Sequence, residues 1–313
     1  MMQDGPTKTA VLQVCDANFL PFALHLMNQI IHFCPYRTFD LVIASEEPLT
    51  LPQWARDAGV LFHRMGADDL PQNLPVGQFV RASFYRIRAP DQFADRYRRI
   101  LYLDGDILMD GGDLERLINI PMGDHPIAAV IAPMVYRRAD GMAPEYKILG
   151  MPRLPYFNTG VMVIDTAAYV SQRIADRSIE VIETKREAIL FADQSALNVV
   201  LAGKFAVLSP VWNWMQNKEF PYLTRRQPVR FHHFIGKTKP WNDVEHLDLR
   251  FRESYANFFR TYMPEAMSKL AATAAPRTLP LGRLTTDLLV HTQKRAINAE
   301  RFSSFRDEWD VKL

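Results

Sequence analysis

The chain has 313 residues, 48% of them hydrophobic and 23% charged, enough to bury a substantial core in one large domain or two modest ones. Its formal net charge of +2 does not mark a nucleic-acid binder, so any basic surface must be local. Cys15 and Cys34 are the only cysteines and lack CxxC spacing, which argues against disulfide or zinc frameworks and suits a reducing compartment.

No uncharged apolar run reaches about 18 residues, so no transmembrane helix is expected. The first residues, Met1 to Pro6, lack the basic start and apolar stretch of a secretory signal. A cytoplasmic protein, or one peripheral to a membrane, is the expectation.

Residues 9–15 (TAVLQVC) form a continuous apolar run, as in a buried parallel strand, and 19–33 carry apolar positions at helical spacing. A strand fits 39–44, a short helix 52–58, a strand 60–65 and a helix 78–88. Residues 98–109 (RRILYLDGDILM) read as a strong strand running into a polar break. This βαβ rhythm predicts an α/β fold of Rossmann-like type, with a central mixed, mostly parallel sheet and nucleotide-like ligands at the carboxyl ends of its strands. Further on, 127–133 and 156–165 look like strands, 166–202 largely helical, and 205–215 and 229–235 strand-like again. From about 263 the chain is rich in Ala and Pro, with a helical stretch near 284–298. Residues 1–262 are read as one catalytic domain, and 263–313 as a tail packed on it or hinged from it.

Asp104-Gly105-Asp106 places two carboxylates where an apolar strand ends. Hard divalent cations want oxygen ligands and keep positions open for phosphate oxygens. Two carboxylates one residue apart can reach one cation if the chain turns between them, and Gly105 makes such a turn cheap. A metal there could neutralise a diphosphate leaving group. Alone, the same three residues read more often as a polar turn between strands.

The segment Phe231-His232-His233-Phe234-Ile235-Gly236-Lys237-Thr238-Lys239-Pro240-Trp241 opens as a strand and ends in a Gly-x-x-Lys-Pro loop. A neutral imidazole can complete the coordination of a Mn2+-like ion beside two carboxylates. Gly236 lets backbone approach a phosphate, and the Lys239 ammonium can act on it as a point charge. A histidine pair on a strand, taken alone, is more often structural.

Together these segments resemble the family 8 retaining glycosyltransferases, which include glycogenin and bacterial lipopolysaccharide galactosyl- and glucosyltransferases and carry a GT-A fold. The Tyr-Leu-Asp-x-Asp strand end is matched by Tyr102 to Asp106, and the late His-x-x-Gly-x-x-Lys-Pro motif by His233, Gly236, Lys239 and Pro240. The resemblance implies Asp104, Asp106 and His233 as ligands of Mn2+ or Mg2+, with Gly236 and Lys239 on the donor diphosphate and His232 structural.

Four more stretches agree in order and spacing. Asp16 and Asn18 in Val14-Cys15-Asp16-Ala17-Asn18-Phe19 match positions implied to contact uracil, though either also suits a helix N-cap. Arg86 in Ser83-Phe84-Tyr85-Arg86-Ile87 matches an arginine implied to reach the donor; read alone, it is a solvated helix charge. Asn158 and Thr159 in Tyr156-Phe157-Asn158-Thr159-Gly160-Val161 are implied to lie along the donor sugar, a stretch that otherwise reads as a strand opened by a glycine bulge. The Asp193-Gln194 pair is implied to line the same pocket from the start of a helix, where Asp193 also suits an N-cap. The resemblance covers residues 9–262. One departure is that Val130-Ile131-Ala132-Pro133-Met134 carries no carboxylate before Asp140, where several bacterial members place a sugar-binding Asp.

The expectation is a metal-dependent transferase moving a hexose, galactose or glucose, from a UDP-sugar to a saccharide, lipid-linked or other hydroxyl acceptor, as in surface polysaccharide synthesis. Retention would proceed by front-side attack without a covalent nucleophile, with Asp193 and Gln194 nearest the anomeric face and Lys239 assisting departure of UDP. A haloacid-dehalogenase-type phosphatase using Asp104 and Asp106 is a second reading. Leu108 stands there where that family expects Thr or Val. A non-catalytic sugar-nucleotide-binding protein is a third. In the tail, Leu and Val near 284–298 stand with Arg283, Lys294, Arg295 and Arg301, a pattern of a membrane-surface helix. Asp287 and Glu300 dilute that charge and favour a helix docked on the core or a partner.

Overall fold

The computed structural model describes residues 6–71, 74, 81–133, 135, 138–217, 228–242, 247–271, 282, 285–286, 289 and 303–313. The first strand, β1 (Lys8–Val14), is followed by α1 (Leu20–Phe33), β2 (Asp40–Ser45), α2 (Gln53–Asp57), β3 (Val60–Arg64), α3 (Ala82–Phe93) and β4 (Tyr97–Leu103). β1 pairs in parallel with both β2 and β4, and β2 with β3. The central stretches of β1, β2 and β4 are apolar on both faces because helices cover both sides of the sheet. Successive residues therefore enter opposite cores. Val11, Leu101 and Leu103 pack with α1, whereas Ala10, Leu12, Ile100 and Tyr102 pack with α3.

After β4 come β5 (Ile107–Met109), α4 (Leu114–Ile118), β6 (Ile127–Ile131), α5 (Pro144–Ile148) and β7 (Phe157–Asp165). The helices α6 (Thr166–Ser171), α7 (Ile174–Thr184) and α8 (Ala192–Leu201) then lead to β8 (Ala206–Leu208), β9 (Phe231–His233) and α9 (Leu249–Tyr262). The large sheet has the order β10-β8-β6-β7-β4-β1-β2-β3, where β10 is Val311–Lys312. β7 runs antiparallel to β4 and β6, and β10 antiparallel to β8, so the sheet is mixed and mostly parallel, as expected.

Three expected elements differ. The single strand over 98–109 is two strands in different sheets: β4 ends at Leu103, and β5 leaves to pair with β9 in a separate ribbon. The polar Asp-Gly-Asp segment is a turn that redirects the chain. The helix expected to stop at residue 88 runs on to Phe93 through Pro90, anchored by Phe93 in the core and by the Tyr169 hydroxyl donating to the Ile87 carbonyl at 2.9 Å. The strand expected over 205–215 is confined to β8, because a 3-10 turn over Pro210–Trp212 follows. The helix expected near 284–298 lies largely outside the described residues, as do residues 78–80.

The last residues return to the large sheet. Val311 and Lys312 pair with Leu208 and Val207, Trp309 packs 5.1 Å from Trp212, and the Trp212 indole donates to the Glu308 carbonyl at 2.8 Å. Arg230 holds the Glu308 carboxylate at 2.8 Å. Trp309→Ala, which removes a half-buried indole, is expected to cost about 2 kcal/mol. The melting temperature, followed by circular dichroism, should fall by roughly 3 °C. No helix among the described residues is long and apolar enough to cross a membrane.

Candidate active site

The chain winds outward from β1 to β3 and then returns past β1 to β4, so the strand order reverses between β1 and β4. Open α/β sheets bind ligands in the crevice that such a reversal opens at the strands' carboxyl ends. Asp104-Gly105-Asp106 follows the end of β4 there. Because β7 is antiparallel, its first residues lie at the same end: Leu103 sits opposite Val161, and the Gly160 carbonyl accepts the Asp104 N–H at 2.8 Å. The β5–β9 ribbon supplies the third piece. Ile107 is opposite His233, and the Asp106 carbonyl accepts the Phe234 N–H at 3.1 Å.

These pairings bring one ligand atom each from Asp104, Asp106 and His233 within 4.8 Å of one another. His233 Nε2 lies 3.2 Å from Asp106 Oδ1 and 3.7 Å from Asp104 Oδ2. Two carboxylates and an imidazole on one small volume fit a Mn2+- or Mg2+-like ion. Burial works to raise the Asp106 pKa, but Lys239 and His233 override it and hold the carboxyl well below its ordinary range. Lys239 Nζ also contacts the Phe234 carbonyl.

Two glycines shape this site sterically. A Cβ on Gly160 would lie 2.2 Å from His233 Cε1 and 2.7 Å from Nδ1, so the imidazole can rest against β7 only over bare backbone. Gly105, expected to ease the turn by its backbone freedom, does not adopt a positive φ. Its requirement is packing: a Cβ there would meet the Phe19 ring at 2.9 Å. Gly236 does have φ +74°, with nothing within 4 Å of the place a Cβ would occupy.

Arg86, which alone reads as a solvated charge, is buried at the centre. Its Nη2 lies 2.9 Å from Asp104 Oδ1, its Nη1 donates to Thr159 Oγ1 at 3.1 Å, and its Nε faces Asp193 Oδ2 at 3.3 Å in an ion pair without hydrogen-bond alignment. The guanidinium also lies over the Tyr102 ring, whose hydroxyl donates to Asp104 Oδ1 at 3.0 Å. Burial disfavours its charge, yet Asp104 and Asp193 raise its pKa above the ordinary guanidinium value. A lysine cannot reproduce this fork. Arg86→Lys is expected to leave one buried carboxylate unpaired and lower unfolding stability by about 3 kcal/mol, read from a urea titration.

Asp193 is not the N-cap of α8. Phe191 holds that position without a side-chain cap, and Ser195 Oγ accepts the N–H groups of Leu190 and Phe191 at 3.1 and 2.8 Å. Asp193 turns inward to Arg86, and burial pushes its pKa up to about 6 despite that partner. Gln194 Oε1 accepts the Asn158 amide at 2.8 Å, and Asn158 Oδ1 accepts from Asn213 Nδ2 at 2.9 Å. Thr159 is buried on Arg86. The structure thus joins Arg86, Asp104, Asp106, Asn158, Thr159, Asp193, Gln194, His233 and Lys239 into one contact network. Asn213 escaped the sequence reading because no motif flags it.

Asp16 lies apart from this network, at the carboxyl end of β1. It lines a cleft of about 170 Å³ with Glu46, Glu47, Arg81 and Tyr85, and its Oδ1 accepts the Phe19 N–H at 2.8 Å. Asn18 is exposed on the turn beyond. Arg81 pairs with Glu46 at 3.2 Å and donates to the Pro71 carbonyl at 2.8 Å. Glu46 and Glu47 escaped the sequence reading because no motif flags them, their one signal being their place just after the strand beside β1. His232 is fully buried away from the triad, bonded to Asn217 at 2.8 Å and Asp110 at 3.0 Å. Burial lowers its pKa, while Asp110, held at about 2 against its own burial by His232 and Arg250, stays ionised.

A doubly covered α/β sheet with carboxylates and an imidazole at its switch-point crevice is the arrangement in which open α/β folds hold their ligands. The sequence profile of the family described as glycosyl transferase family 8 matches residues 10–245, and the chain belongs to that family. It is 30% identical over 185 residues to lipopolysaccharide glucosyltransferase WaaO of Escherichia coli strain K12, covering 56% of this chain and 53% of that protein. It is 28% identical to lipopolysaccharide 1,3-galactosyltransferase of Salmonella typhimurium, covering 51% of this chain and 49% of the relative. The chain thus spans about half the length of these curated relatives. Among solved structures, the galactosyltransferase LgtC in complex with donor and acceptor sugar analogs superposes with a TM-score of 0.66 at 20% identity, covering 84% of this chain and all of LgtC. The fold is accordingly the GT-A-like α/β fold of that neighbour.

Proposed function

We propose that this chain is a retaining hexosyltransferase that moves galactose or glucose from a UDP-sugar to a hydroxyl acceptor, a saccharide or lipid-linked sugar of a surface polysaccharide. The observation that carries the reading is the convergence of Asp104, Asp106 and His233 at the switch-point crevice. A Mn2+ or Mg2+ ion held by these three would neutralise the charge that develops on the departing diphosphate.

The chain's own residues divide the remaining work. Lys239 supplies positive charge beside Asp106, next to the open backbone at Gly236, where a diphosphate can lie. Asp16, on the cleft at the end of β1, is placed for the base, with Asn18 on the adjoining turn. Asn158 and Thr159 lead from the triad toward Asp193 and Gln194, the path assigned to the sugar. Asp193 is bound to Arg86 and the Gln194 amide is bonded on both sides, so neither is an unencumbered nucleophile. That suits front-side attack, in which the leaving phosphate takes the acceptor's proton and Asp193 and Gln194 orient and stabilise the reacting sugar.

The test is a panel of UDP-, GDP- and ADP-sugars assayed for nucleotide release with Mn2+, Mg2+ or EDTA. UDP release from UDP-galactose or UDP-glucose, lost in EDTA, is the expected result; release insensitive to EDTA would overturn the metal's role. Phosphate release from simple esters would favour the phosphatase reading, although Asp104 is engaged by Arg86 and Tyr102 rather than bare. Mn2+-dependent UDP binding with no release would favour a binding protein.

A further inference from the structure

Asn213 has a buried side chain that sits against His233. The backbone puts it there. β9 is flanked on one edge by β5 and on the other by Trp214, whose carbonyl accepts the His233 N–H at 2.9 Å. Asn213 follows the Pro210–Trp212 turn and therefore reaches His233 directly, with Oδ1 2.9 Å from Nδ1.

Side-chain amides and imidazoles can be oriented two ways, but one donor in this cluster cannot be reversed. The backbone N–H of Gly160 points at Asn158 at 3.0 Å, so the Asn158 atom facing it must be the acceptor Oδ1. The same Oδ1 lies 2.9 Å from Asn213, so Asn213 must present its Nδ2 there. Its Oδ1 then necessarily faces His233, and His233 Nδ1 must carry the proton. The far side of Asn158 agrees: its Nδ2 donates to Gln194 Oε1 at 2.8 Å, which turns Gln194 Nε2 toward the Tyr156 hydroxyl at 3.4 Å. Tyr156 in turn donates to Glu145 Oε1 at 2.7 Å. The chain of bonds has one direction, set by a peptide N–H at one point and a buried carboxylate at its end.

We infer that Asn213 is a positioning residue that keeps the proton of His233 on Nδ1 and so leaves Nε2, the nitrogen facing Asp104 and Asp106, to serve as a metal ligand. Partners of this kind on a ligand imidazole set its tautomer and ring orientation, and their loss typically weakens metal binding about 10–100-fold. The inference rests on the metal reading above, so its test needs a part that requires no metal.

Two measurements on the full chain decide it. Histidine 15N spectra of the metal-free protein, with His233→Gln used to assign the resonance, should show a protonated Nδ1 on His233. A bare Nδ1 overturns the proposal. Mn2+ titration in the presence of UDP, followed by electron paramagnetic resonance, should show Asn213→Leu weakened about 10–100-fold. Asn213→Asp, which keeps an acceptor on Nδ1, should stay within about threefold of the parent, and this rescue is what a merely structural asparagine would not give. Equal affinity of the Leu variant and the parent overturns the proposal. Should the Leu variant fail to fold, the Asp variant and the parent spectrum still decide. If the parent binds no Mn2+, the metal reading is what fails, and the Nδ1 resonance still rules on Asn213.

Discussion

Asp106→Asn is expected to reduce Mn2+-supported release of UDP by about 10³-fold or more, since one carboxylate of the triad and its charge are removed together. Stability should also move, because Asp106 is buried between Lys239 and His233. Neutralising it leaves the Lys239 ammonium facing a neutral amide in a site of low exposure, a loss of about 3 kcal/mol. The two effects can be separated. Adding Lys239→Met removes the stranded ammonium and should recover part of the stability, read as the urea midpoint, while turnover stays lost. An Asp106→Asn chain with parental, EDTA-sensitive turnover would show that the cation is held elsewhere.

Gly160→Ala tests the same centre without altering a polar atom. The added methyl would overlap His233 at 2.2 Å from Cε1, a distance no relaxed structure tolerates, and it would also press on Asn158 Oδ1 at 3.0 Å. β7 cannot retreat, being paired to β4 through the Asp104 N–H and to β6 on its other edge. The imidazole must therefore yield, moving off Asn213 and away from the carboxylates. Overpacking of this kind costs about 1–3 kcal/mol. Mn2+ affinity in the presence of UDP is expected to fall about 10–100-fold, and turnover by about 10²-fold, with the fold retained. Parental Mn2+ affinity in Gly160→Ala would mean that His233 is not a ligand in its present position.

Local pattern alone was enough for the first half of the fold. β1, α1 and β2 are long or uniformly apolar enough that period and burial agree, and these elements and the short edge strand β3 appear where expected. The Asp-Gly-Asp segment was legible as a polar break but not as a change of sheet, because nothing in a single segment states which strand β5 will pair with. The same limit applied to Pro90, where the proline's local signal to stop the helix was outweighed by packing of Ala89 and Phe93. At the site, Asp104, Asp106, His233 and Lys239 were reachable because motif spacing carries their residue types. Arg86 and Asp193 had local readings, a solvated charge and a helix cap, that the folded chain overrides by burying them against each other.

The sequence by itself determined the α/β class, the family and the candidate ligands, since apolar periodicity and short motifs are local properties of the chain. Only the tertiary structure decided that the antiparallel β7 delivers Gly160 and Asn158 to the end of β4, and that the β5–β9 ribbon closes His233 onto the two carboxylates. It also placed Asn213 against His233 and gave Gly105 its packing requirement against Phe19. Those facts depend on which distant backbones pair and how closely they approach. Such long-range contacts are paid for by the whole core, and no window of sequence contains them.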